Sequence, residues 1–99
     1  MTAMTYKRAR KRSREQIKCE MLRACLTPNT STNIMYAAGI SYRPHKAFLN
    51  ELLDKGLIGL VEEKPGRGHR DGRIVGVYIT TDEGRRVLRQ FEDLMEVLV

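Results

Sequence analysis

The sequence contains no tryptophan, two phenylalanines and four tyrosines among its 99 residues. That is little material for stacking unpaired bases, which argues against the single-strand and RNA modules built on aromatic platforms. Cysteine is equally scarce. Cys19 and Cys25 stand six apart in one segment and no CxxC pair accompanies them, so a zinc ribbon or dithiol motif is excluded and two packed thiols are expected. No apolar run approaches the roughly 18 residues of a membrane span, and none follows the basic N-terminus as a secretory leader would. A cytoplasmic protein with no membrane partner is expected. Catalytic signatures are missing too: there is no GxxxxGK[ST], no HExxH, and no Ser or Cys in a nucleophile turn. No catalytic residue, cofactor, metal or small-molecule ligand is therefore expected.

Acidic charge is also in short supply. The chain carries 18 Lys and Arg against 12 Asp and Glu, a net charge of +6. The imbalance is local: residues 1–80 hold fifteen cations against seven anions, whereas residues 81–99 hold three against five. A basic body with an acidic end is the electrostatic footprint of a polyanion-binding protein.

Residues 1–12, MTAMTYKRARKR, have no apolar period and read as a flexible basic arm. Ser13 and Gln16 form a capping box that opens a first helix with Ile17, Met21, Leu22, Cys25 and Leu26 inward. The run TPNTS closes it with turn formers. A short second helix fits 32–38, ended by Gly39, and a third begins at Ser41 with Pro44 in its first turn. Leu49, Leu52 and Leu53 form the third helix's stripe, with Tyr42 and His45 at its upper end and Gly56 as its left-handed stop.

The period then changes to two. Ile58, Leu60 and Glu62 alternate as one strand, and Val75, Val77 and Ile79 as another. Between them lies 64-KPGRGHRDGR-73, a loop of about ten residues where hairpins usually use two to five. Thr80 or Thr81 caps a last helix whose Val87, Phe91, Leu94, Met95 and Leu98 recur at helical spacing. The fold class expected is α+β: a winged helix-turn-helix of three helices, a two-stranded hairpin wing and a C-terminal helix. Residues 13–80 form the DNA-binding domain and residues 81–99 a dimerisation helix.

This arrangement points the third helix at the DNA major groove. Arg43 and Asn50 fall away from the leucine stripe and suit guanine and adenine edges, and Lys46 suits a base or a phosphate. Ser41 can cap the helix and face a phosphate, and Tyr42 can bond a phosphate or pack beneath the helix. Thr32 and Asn33, at the start of the second helix, can contact backbone or simply cap. His45 reads as a packed histidine. In the wing, Lys64, Arg67, Arg70 and Arg73 are spaced by threes with glycine between, and can follow phosphates or enter a minor groove. Arg10 and Arg12 of the arm can do the same. The stripe Val87, Phe91, Leu94, Met95 and Leu98 fits a homodimer seam or packing against the first helix.

The segments 8-RARKRSREQI-17, 32-TNIMYAAGISY-42 and 49-LNELLDKGLI-58, with Tyr78-x-Thr80-Thr81-x-x-Gly84, resemble the small archaeal winged-helix DNA-binding proteins. The resemblance implies sequence-specific or architectural binding of double-stranded DNA, usually as a homodimer and commonly as a transcriptional regulator. A protein-docking winged helix with acidic protein partners is the alternative, since fold does not fix function.

Overall fold

A computed structural model of the chain describes residues 12–65 and 74–98, without the side chain of Ile74. The elements in order are α1 (Arg14–Ala24), β1 (Asn29–Thr30), α2 (Ser31–Ala38), α3 (Tyr42–Asp54), β2 (Ile58–Pro65), β3 (Ile74–Thr80) and α4 (Asp82–Leu98). This is the expected α+β winged helix-turn-helix with one strand more than the sequence suggested.

The capping box of α1 is complete. The Gln16 amide donates to Ser13 Oγ at 3.1 Å and the Ser13 amide to Gln16 Oε1 at 2.7 Å, so two otherwise orphaned donors are satisfied reciprocally. The helix stops at Ala24, one residue before Cys25, so Leu26 is not part of the inward stripe and is 38% exposed. The following run is more than a turn. Asn29 and Thr30 pair antiparallel with Tyr78 and Val77 of β3, giving a three-stranded sheet in the order β1-β3-β2. Thr30 also caps α2, accepting from the Asn33 amide at 3.3 Å.

α2 ends at Gly39, whose φ of +66° is the left-handed conformation that a side chain disfavours. The Gly39 and Ile40 amides turn back to Met35 O at 3.0 and 3.3 Å, and Ser41 then begins α3. Ser41 has the extended backbone of a cap but makes no side-chain capping bond.

β2 pairs with β3 from Ile58↔Thr80 to Pro65↔Ile74, with a bulge that leaves Val61 without a partner. The extra residue upsets the two-residue alternation. Leu60, which precedes the bulge in regular register with Ile58, is 52% exposed, and Val61 is exposed beside it. Lys64 lies on β2 opposite Val75 rather than in the loop.

The core is built from Cys19, Met21, Leu22 and Cys25 of α1 and its cap, Ile34 and Ala38 of α2, Leu49 and Leu52 of α3, Ile58 and Leu88. Both cysteines are free and buried, and burial pushes the Cys25 thiol up to about 12. The Thr80-Thr81-x-x-Gly84 segment locks this core. Thr80 Oγ1 donates to Leu22 O at 2.7 Å and its amide to Cys25 O at 2.8 Å, which joins β3 to the end of α1. Thr81 Oγ1 donates to Gly56 O at 2.7 Å and accepts from the Gly84 amide at 3.1 Å, so Thr81 is the cap of α4.

Candidate nucleic-acid interface

α3 buries one face and presents the other. His45, Leu49 and Leu52 are buried, whereas Arg43, Lys46, Ala47 and Asn50 are exposed. Arg43, Ala47 and Asn50 follow i, i+4, i+7 spacing, which aligns them along one side of the helix. Tyr42 is 62% exposed, so it is not core; its ring lies 5.9 Å from the Lys46 ammonium.

His45 anchors the upper end of α3. It is 2% exposed, and its Nε2 lies 2.9 Å from Ser31 Oγ, the first residue of α2. Its Nδ1 is buried without a partner among the described residues. Burial holds its pKa below the ordinary histidine value of 6.5, so the neutral ring is favoured. The helix is fixed from the other side by Glu51, which accepts from Lys18 of α1 at 2.6 Å and from Lys55 at 3.2 Å. Those bonds lower the Glu51 pKa. The Lys18 ammonium also sits 5.3 Å from the Phe48 ring, so this lysine positions α3 rather than standing free at the start of α1.

The cations thus divide into two groups. Arg12, Lys18, Arg23, Lys55 and Arg86 each pair with a carboxylate. Among the described residues no carboxylate pairs with Arg43 or Lys46. Helix N-termini divide the same way. α1 has Glu15 and α4 has Asp82 and Glu83 in the first turn, where acids complement the dipole; α2 and α3 have none. The two acid-free N-termini belong to the helix-turn-helix, and no acidic side chain in their first turns complements their positive ends.

Thr32 and Asn33 are exposed on α2. Sequence reasoning passed over Tyr36, 72% exposed on the same outward face; its four-residue spacing from Thr32 was the available signal. Arg12, expected in the DNA-contacting arm, is folded onto the domain. It pairs with Glu20 and donates to Ala38 O at 2.7 Å and Gly39 O at 3.3 Å. Arg10, Arg67, Arg70 and Arg73 lie outside the described residues.

The stripe of α4 serves two ends. Gly84 and Leu88 are buried, and Phe91 packs against the core. Val87 and Met95 are half-buried. Leu94 and Leu98 are 54% and 71% exposed, and Val97, absent from the expected seam, is 80% exposed. The helix is tied to α1 by Arg23 and Glu92 at 2.6 Å, so its first three turns belong to the domain and its last turn projects an apolar edge.

Solved structures with this fold include the DNA-binding protein Sso10a-2 from Sulfolobus solfataricus. It is 22% identical, over 87% of this chain and 81% of its own, with a TM-score of 0.68. A PadR family transcriptional regulator from Eggerthella lenta is 24% identical over 98% and 83% of the two chains, with a TM-score of 0.70. The transcriptional regulator BldR from Sulfolobus solfataricus is 20% identical over 84% and 56%, with a TM-score of 0.63. No curated protein matches the sequence. The winged helix-turn-helix family profile matches residues 11–98, nearly the whole length, and the chain belongs to that family.

Proposed function

We propose that the protein binds duplex DNA in a sequence-specific manner, as a homodimeric transcriptional regulator. The observation that carries this reading is the outer side of α3. Arg43, Lys46 and Asn50 are exposed there, and neither cation has a carboxylate partner among the described residues, beside two helix N-termini without acids. The names of the structural relatives, a DNA-binding protein and two transcriptional regulators, support it.

In this reading α3 enters the major groove. Arg43 pairs with guanine O6 and N7, Asn50 with adenine N6 and N7, and the small Ala47 between them meets a thymine methyl group. Ser41, Tyr42, Lys46, Thr32, Asn33 and Tyr36 hold phosphates, positioning the helix without reading sequence. Lys64 on β2, with the wing arginines Arg67, Arg70 and Arg73 and with Arg10 of the arm, adds backbone or minor-groove contacts. A second copy covers the free edge of α4, Leu94, Val97 and Leu98, beside Val87, Phe91 and Met95.

Selection of preferred sites from a random duplex pool tests the assignment. A two-fold repeated half-site is expected. Arg43→Ala should relax preference at one or two base positions, a loss of about 1–3 kcal/mol there. An unchanged preferred sequence would remove Arg43 from base reading. Binding to acidic proteins with negligible duplex affinity would favour a docking role instead.

A further inference from the structure

Arg12 joins α1 to the end of α2. Its guanidinium pairs with Glu20 of α1 and donates to Ala38 O at 2.7 Å and Gly39 O at 3.3 Å. These carbonyls close α2 and form the turn that leads, two residues later, into the cap of α3. The Gly39 and Ile40 amides already turn back to Met35 O, and a carbonyl in the last turn of a helix has no donor within its own helix. Arg12 supplies donors to two such carbonyls. Nη1 reaches Glu20 and Ala38 O while Nη2 reaches Gly39 O; a lysine ammonium also has three N–H groups but presents them from a single nitrogen, without the rigid spread of the fork.

We propose that Arg12 is a positioning residue that fixes the α2–α3 turn and so sets how α3 is presented, rather than a DNA contact. This rests on the duplex-binding reading above. The side chain does not touch bases in this account. Its removal should cost discrimination between sequences, while the general attraction to phosphates is retained.

The test compares Arg12→Ala and Arg12→Lys with the wild type on two duplexes, one carrying a selected site and one unrelated, across a salt series. Thermal melts establish the temperature at which each variant is folded. Both variants should lose about tenfold in affinity for the selected site. Affinity for the unrelated duplex, and the salt slope, should be unchanged. An equal fall on both duplexes for alanine, with a slope shallower by about 0.9 and rescue by lysine, makes Arg12 a phosphate contact and overturns the proposal. Unchanged affinity for both duplexes overturns it as well, leaving a purely local structural role. Amide exchange of the free protein gives a readout independent of DNA: Gly39 and Ile40 should exchange faster in both variants. If the wild type shows no preference between duplexes, the DNA reading has failed, and unchanged exchange at those amides would then overturn the positioning role separately.

Discussion

Gly84 shows how much a single hydrogen decides in this domain. A Cβ built there would lie 2.1 Å from Leu57 O and 2.6 Å from Thr80 Cγ2. Backbone on one side and a hydrogen-bonded threonine on the other leave it no room. Alanine gains about 1 kcal/mol in helix propensity over glycine, but overpacking of this kind costs about 1–3 kcal/mol and sometimes more. Gly84→Ala should therefore lower stability by up to about 2 kcal/mol, read as a fall in the denaturation midpoint; a rise would show that α4 can shift away from Leu57. His45 makes a second prediction. Its folded pKa lies below 6.5 because of burial, so the neutral ring is present in full above 6.5. As pH falls below that value the unfolded chain takes a proton that the folded chain resists, and stability is lost until pH reaches the folded pKa. Glu51 adds a separate loss only below its ordinary 4.5. Resistance of the wild type to denaturation should weaken from pH 6.5 downward, and His45→Leu should flatten that dependence just below pH 6.5; equal slopes would exclude His45 as the source.

At the scale of elements, α4 illustrates what periodicity conveys and what it omits. The spacing of Val87, Phe91, Leu94 and Leu98 identifies an amphipathic helix, but not which residues a neighbour in the same chain already covers. Phe91 packs on the core and Leu94 does not, so a charge at Phe91 would confound unfolding with dissociation. Leu94→Asp together with Leu98→Asp is the cleaner probe. Full burial of such side chains is worth about 1.5–3 kcal/mol each, and the double variant should sediment as a folded monomer, against the dimer mass expected of the wild type. An unchanged mass would place the seam elsewhere. The helices were legible because capping boxes, left-handed glycine stops and four-residue spacing are local signals. β1 was not, because two residues carry no period and Asn29 and Thr30 are also turn formers; only their pairing with Tyr78 and Val77 makes them a strand. The bulge at Val61 was not legible either, because it is a property of two strands together. In the candidate interface, the outward side of α3 followed from its leucine stripe. The tying of Arg12 and Lys18 did not, since their partners Ala38, Gly39 and Glu51 come from distant parts of the chain.

For the whole molecule, the net +6 is a poor guide until the paired cations are set aside. Once Arg12, Lys18, Arg23, Lys55 and Arg86 are matched to carboxylates, exposed positive charge on the described body includes Arg43 and Lys46 of α3 and Lys64 of β2. The C-terminal helix, net acidic, carries the apolar edge proposed for a partner. The most direct measurement of the central claim is duplex DNA affinity against salt. Neutralising several phosphates releases counterions, and log K should fall linearly with log salt, with a slope of about −0.9 for each phosphate engaged. A slope of about −4 or steeper is predicted. A flat dependence, or no duplex binding at low salt, would contradict the account.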